Sequence, residues 1–345
     1  MHEAVRGHRG PAGGRRNSVR AQGVRSRARG AGDHPRRVFA VRWCTSGALT
    51  RTMETVALCG AAGFAGRAML SALLSAGFKV KALDLDEASW TATDAHGRKR
   101  VESGLPSSAD GQLELVFGNI SEHAVVQALV EGCVAVVHTT VFFPQQIPGH
   151  NGGVLPDAVA DDTWKVNLKG LWNVLDCAQQ SSTVRRVVHV GSCSTVWPGS
   201  TTHPAAGSVR FDSDVRRPDG SLYAVQKRLQ EEMCRQFYDA SGLPVIVLRP
   251  DGIMDLRTRS NRGGPVGEYR IGWCCRHQLA AAAVGAVVHA DAPAFGVFSA
   301  ATVPNPPIEG QLDPRDTCNV SETEQALGVS FEADVRVKGA ASSKL

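Results

Sequence analysis

From Thr55 onward the apolar residues fall into short runs separated by stretches of helical period. TVALC (55–59) reads as a buried strand, and Phe64, Met69, Leu70, Leu73 and Leu74 then recur at the spacing of one helix face. The alternation returns with strands at 78–83, 113–117, 134–138, 186–190 and 244–248. Helices are expected at about 121–130, 158–180 and 222–240, the last closed by Gly242. Strands alternating with helices predict an α/β fold, a doubly wound parallel sheet with crossover helices. The polar stretch 86–111 reads as a surface excursion. Beyond Arg249-Pro250 the alternation weakens, and 251–337 is expected to form a smaller lobe that carries substrate specificity. No internal repeat or heptad pattern is present.

Residues 1–52 break this pattern. They are rich in Arg, Gly and Ser with almost no hydrophobic periodicity, and are expected to be a disordered extension. A transit peptide, a basic nucleic-acid arm and an extension upstream of a start at Met53 all fit them, the last being the plainest. The expected organisation is therefore 1–52 as extension, 53–250 as cofactor-binding domain, 251–337 as substrate lobe and 338–345 as tail.

Composition changes the picture in three ways. The formal charge of +5 belongs to the extension, which holds twelve Arg against two acids, Glu3 and Asp33, so residues 53–345 carry 26 basic against 31 acidic side chains. A mildly acidic folded part argues against a nucleic-acid surface there. Nine scattered Cys without a C-x-x-C pair indicate reduced, intracellular usage, and eleven His without ligand spacing give no reason to expect a metal. The longest apolar run, 279–288, is ten residues and too short to span a bilayer.

Two features carry chemistry. Between the first strand and first helix lies Gly60-Ala61-Ala62-Gly63-Phe64-Ala65-Gly66. Glycine removes the Cβ that would keep a dinucleotide pyrophosphate from the backbone, and a helix N-terminus offers amide donors to it. Asp84 follows the second strand, where a carboxylate accepts hydrogen bonds from both ribose hydroxyls and repels a 2′-phosphate, which favours NAD over NADP. Far downstream, Tyr223 and Lys227 are four apart and share a helix face. A cation beside a phenol stabilises the phenolate, so this pair suits proton transfer to or from a hydroxyl.

Together these residues resemble the extended short-chain dehydrogenase/reductase superfamily, which includes NAD-dependent epimerases, dehydratases, sugar-acid dehydrogenases and hydroxysteroid dehydrogenases. The likeness covers about 55–330. It is carried by Gly60, Gly63, Gly66 and Asp84, by 166–170 with 173–175, by 187–192, by Tyr223 to Lys227 with Glu231, and by Leu248-Arg249-Pro250. It implies a Rossmann-type fold in which Tyr223 moves the hydroxyl proton, Lys227 holds the nicotinamide ribose and hydride passes to or from the nicotinamide. It further implies cofactor contacts at Phe64, Ala65, Asn119, Ile120, the His138-Thr139-Thr140 turn, Asn167, Arg249 and Pro250. Asn119 stands where an Asp commonly holds the adenine amine.

The third catalytic place, usually Ser or Thr, aligns with Cys193. A thiol is a weak donor, and Ser192, favoured here, or Ser194 serves if the register differs by one; Thr195 is a further candidate. Gln278 replaces a common Asp and reads as a helix-start position. Arg257, Arg259, Arg262 and Arg270 form either a carboxylate or phosphate clamp or, the favoured reading, a solvated loop.

The leading functional expectation is an NAD-dependent oxidoreductase acting on a CH–OH group of a sugar-like or other small hydroxylated substrate. A nucleotide-sugar epimerase or dehydratase is the alternative, and a non-catalytic NAD(H) sensor the third. Relatives suggest a homodimer through the helices near 158–180 and 222–240. The terminal Ser343-Lys344-Leu345 would address a eukaryotic protein to the peroxisomal import receptor; otherwise the cytoplasm is expected.

Overall fold

The computed structural model describes residues 53–90, 104, 106, 111–142, 157–196, 221–261, 264–266, 272–307, 313–333 and 335. The extension 1–52, the tail 338–345, Arg262 and Arg270 lie outside the described residues.

Seven parallel strands form the main sheet: β1 (Thr55–Cys59), β2 (Lys79–Asp84), β3 (Leu113–Phe117), β4 (Ala135–His138), β5 (Arg186–Val190), β6 (Val245–Pro250) and β11 (Phe295–Ala300). Their order is β3-β2-β1-β4-β5-β6-β11. The chain thus runs outward from β1 in one direction and from β4 in the other, and ligands of such sheets bind in the crevice at the carboxyl ends where the order reverses. The central strands are near-continuous apolar runs because both their faces are covered.

One face, with Val56, Leu58, Val137, Val188, Ile246 and Leu248, packs against α1 (Phe64–Ser75) and α6 (Arg276–Val288). Ala65, Gly66 and Ala68 on α1 and Ala280 and Ala283 on α6 are small, which lets the two helices approach closely. The other face, with Ala57, Val136, Val187, Val245 and Val247, is covered by α2 (His123–Val130), α4 (Gly170–Gln180) and α5 (Leu222–Ser241). α5 begins where Ser221 accepts the Ala224 N–H at 3.1 Å and ends at Gly242, whose φ of 71° fits the left-handed stop.

Past β6 the chain adds β7 (Ile253–Asp255), β8 (Ser260–Asn261), β9 (Gly264–Pro265) and β10 (Cys274–Cys275), which form a four-stranded sheet in the order β10-β7-β8-β9. After β11 come β12 (Val303–Pro304) and β13 (Glu332–Ala333), which pair, with α7 (Pro314–Thr317) and α8 (Val320–Leu327) between them.

Two departures from the sequence pattern bear on the site. The strand–helix alternation continues through α6 into β11, which returns to the main sheet beside β6. α6 is buried nearly all round, so its periodicity is hidden in a single apolar run. The long helix expected at 158–180 is interrupted: α3 (Asp157–Trp164) passes into one π turn, Lys165–Lys169, before α4. Among the described residues no helix is long and apolar enough to cross a membrane, and no group of three or more His, Cys, Asp or Glu is placed to hold a metal ion.

Candidate active site

The turn from β1 to α1 can exist only with glycine at its ends. Gly60 has φ of +79°, and a Cβ there would lie 2.8 Å from the Thr140 nitrogen at the end of β4. A Cβ on Gly66 would run into the Gly60 carbonyl. Asp84, at the end of β2, fixes the middle of the turn: Ala62 N–H donates to Oδ2 at 2.8 Å, and Leu85 N–H donates to Oδ1 at 2.9 Å. Gly63 then begins α1 without a side-chain cap, so the amides of Phe64 and Ala65 stand at an uncapped helix N-terminus. A Cβ-free cradle, uncapped amides and a helix dipole suit a pyrophosphate.

Across the crevice, α5 presents Tyr223 and Lys227 one turn apart. The Lys227 Nζ lies 5.9 Å from the centroid of the Tyr223 ring and donates to the Val190 carbonyl at 2.8 Å. Lys227 is buried, and desolvation lowers its pKa to about 8 against the opposing pull of Glu231. The lysine therefore titrates near neutral pH while held at the end of β5.

The three triad candidates are placed differently. Ser192 precedes a single 3₁₀ turn, and its Oγ accepts from the Ser194 N–H at 3.2 Å and the Ser194 hydroxyl at 2.9 Å. Cys193 is buried in the apolar layer against α1 and α6. Burial and then the Asp251 carboxylate, which hydrogen-bonds its thiol, push its pKa far up. Thr195 is buried too, 3.0 Å from the Ser192 carbonyl and 3.1 Å from Glu231 Oε1.

The family model for the NAD dependent epimerase/dehydratase family matches residues 56–254, more than half of the chain. The chain belongs to this family. Among its relatives are a cinnamoyl-CoA reductase of Medicago truncatula, 26% identical over 202 residues (57% of each protein), and a 3β-hydroxysteroid dehydrogenase/Δ5→4-isomerase of Mycobacterium tuberculosis. The latter is 28% identical over 205 residues, 59% of this chain and 48% of that protein. The chain thus spans about half the length of the curated relatives it matches. Among solved structures, a mutant uronate dehydrogenase of Agrobacterium tumefaciens complexed with NAD superposes with a TM-score of 0.57 at 20% identity, covering 82% of this chain and 86% of that one. A UDP-glucose 4-epimerase of Thermus thermophilus gives 0.52 at 18% identity over 81% and 85%. Those likenesses establish the fold.

Several residues expected to contact the cofactor also make contacts within the protein. His138 and its register partner His189 are fully buried under α5 with their Nδ1 atoms 2.9 Å apart. Burial, with Lys227 nearby, lowers His138 to about 3, so it is neutral at physiological pH. Ile120 is a core residue whose carbonyl accepts from the Asn173 amide at 2.9 Å. The Asn119 Oδ1 already accepts the Ser121 N–H at 2.9 Å. Arg249 is buried and bidentate on Glu231, at 2.7 and 2.8 Å, and Pro250 ends β6. Thr139 donates its N–H to the Cys59 carbonyl at 3.0 Å, and with Thr140 it edges the glycine turn.

Asn167 lies in the π turn. Its amide brackets the Phe142 backbone and donates to Gln226 Oε1 at 2.9 Å, while its carbonyl accepts from Gln230 Nε2 at 2.6 Å. It therefore braces α5 against the loop after β4.

Of the arginine group, Arg257 turns onto Asp255, its N–H donating to Oδ1 at 2.8 Å. Gln278 is the third residue of α6 and binds Thr302 and the Glu332 carbonyl, a structural role. Gln230, Asp251, Asp255 and Arg276 are not singled out by the sequence, and His189 and Gln226 stand in it only inside stretches that carry the family resemblance, with no role of their own.

Proposed function

We propose that the chain is an NAD-dependent oxidoreductase that interconverts a CH–OH group and a carbonyl on a sugar-like or other small hydroxylated substrate. The observation that carries the reading is the buried Lys227, one turn from Tyr223 and anchored on Val190 at the end of β5, two strands from β1 and its glycine turn. The amides of Phe64 and Ala65 would hold the pyrophosphate, and the remaining lone pairs of Asp84 would take the adenosine ribose hydroxyls. NAD bound there supplies a two-electron acceptor. Removing two electrons from a carbinol yields a carbonyl only if its O–H proton also departs, and Tyr223 is the group to receive it. The Lys227 ammonium stabilises the phenolate and sets when it forms.

Ser192 is the third partner in this reading. Its oxygen accepts twice from Ser194, which turns its own O–H outward as a donor, whereas the Cys193 thiol is spent on Asp251. The family's name supports a second reading, an epimerase or dehydratase, which uses the same residues but leaves the cofactor oxidised at the end of each turnover. A second copy of the chain is the proposed partner. Trp172 on α4 and Leu229 on α5 are 51% and 42% exposed, large apolar groups on the two helices proposed to pair, and light scattering on the full chain tests this.

The main test is NADH formation by the full chain with NAD and a panel of sugars, sugar acids, nucleotide sugars and sterols. Tyr223→Phe should lower turnover by about 10²–10⁴-fold while NAD affinity stays within about twofold. Turnover of the variant within tenfold of the parent would remove Tyr223 from the chemistry. Cofactor retained through purification with no net NADH would move the assignment to the epimerase or dehydratase.

A further inference from the structure

A charged cluster outside the Tyr–Lys site ties the small sheet to the cofactor turn. Asp255, the last residue of β7, and Arg276, the first of α6, are both fully buried. Arg276 donates through Nε to Asp255 Oδ2 at 2.8 Å, and its Nη2 lies 2.6 Å from the same oxygen. His277 Nε2 lies 3.2 Å from that oxygen, and Arg257 occupies Oδ1. Burial would raise the Asp255 pKa, but the His277 contact, the Arg276 guanidinium and the Arg257 amide together hold it well below the carboxylate range. The Asp255 carboxylate is therefore ionised at any physiological pH.

The other side of the guanidinium faces the first residue of α1. It lies over the Phe64 ring, 4.7 Å from the centroid, and Nη1 donates to the Phe64 carbonyl at 3.3 Å. In a trans peptide the C=O and the following N–H point in opposite directions. Fixing the Phe64 oxygen from behind therefore aims the Ala65 N–H outward, at the uncapped N-terminus where the anion cradle lies. A cation on the carbonyl also polarises the peptide, which makes its N–H a stronger donor.

We propose that Arg276, held by Asp255, is a positioning residue for dinucleotide binding: it aims and polarises the Phe64–Ala65 peptide so that the Ala65 amide binds the pyrophosphate. The glycine turn thereby depends on a residue 212 positions from Phe64 that belongs to the junction of the small sheet and α6. The inference rests on the family cofactor and not on the hydride-transfer reading, and it is tested by binding alone.

The experiment compares NAD, ADP-ribose and adenosine on the full chain and on Arg276→Met by calorimetry, with NMR titration for the weakly bound adenosine. NAD and ADP-ribose should each bind about tenfold more weakly to the variant, or about 1.4 kcal/mol. Adenosine, which lacks the pyrophosphate, should bind within about twofold of the parent. The ¹⁵N-labelled Ala65 amide proton should move downfield on adding ADP-ribose to the parent and less in the variant. Arg276→Met leaves Asp255 buried without its partner and can unfold the protein, so the paired change Asp255→Leu with Arg276→Met removes both charges and should show the same selective loss. A merely structural role would weaken adenosine as much as NAD. Equal losses for all three ligands, or NAD affinity within twofold of the parent in either folded variant, would overturn the proposal.

Discussion

Lys227→Met turns the electrostatics of the site into a stability measurement. In the folded protein Lys227 releases its proton near pH 8 because it is buried, whereas its ordinary value is 10.5. Between these values the unfolded chain binds more protons than the folded one, so the stability contribution of Lys227 rises with pH. Below pH 8 the full cost of the buried ammonium is present. Relative to a side chain that does not titrate, the contribution should improve by about 1.4 kcal/mol between about pH 7 and about pH 9. Methionine matches the length of the lysine stem but loses its hydrogen bond to the Val190 carbonyl. That loss is independent of pH and shifts only the offset. Urea unfolding of parent and variant at the two pH values gives the difference, in which other titrating groups cancel to first order. A parent-minus-variant difference that stays constant with pH would refute the reasoning, because burial would then have left the Lys227 pKa at its ordinary value.

Gly66→Ala should keep the sheet but lose the cofactor, because the added methyl meets the Gly60 carbonyl and displaces the turn. NAD affinity is expected to fall by about 100-fold with far-ultraviolet dichroism unchanged, measured by quenching of protein fluorescence. Ser192→Ala should lower kcat by about 100-fold with little change in KM, whereas Cys193→Ala, which removes a thiol turned onto Asp251, should leave kcat within about threefold. Steady-state kinetics on the two variants decides between Ser192 and Cys193, and the reverse ranking would return the triad place to the thiol.

The local features of the fold are legible because each follows from short-range rules. The strand TVALC, the glycine turn, Gly242 at the end of α5, and the Tyr223–Lys227 spacing need only neighbours within a few residues to be read. α6 and β11 escape such a reading, because a helix buried all round loses the amphipathic period and a strand after it loses its context. The π turn at Lys165–Lys169 has no residue signature in VNLK, and it shows only in the structure as the place where Asn167 gains reach to α5. Asp84 stands out in the sequence for the ribose alone; its bond to the Ala62 amide also makes it part of the turn.

The rest of the site is hidden for one physical reason. Its positioning groups are buried polar residues whose partners are distant in sequence: Asn167 and Gln226 are 59 apart, His138 and His189 are 51 apart, and Arg276 and Phe64 are 212 apart. A buried polar atom without a partner costs about 1–3 kcal/mol, so each such residue implies a partner, but the sequence does not say which one. Sheet topology supplies the answer. Adjacency of β4 and β5 sets the two histidines in register, adjacency of β5 and β6 puts Arg249 beside the strand that Lys227 caps, and packing of α1 on α6 puts Arg276 against the first residue of α1. The groups that would touch substrate or cofactor are therefore the readable part of this site, and the groups that aim them become readable only once the strand order is known.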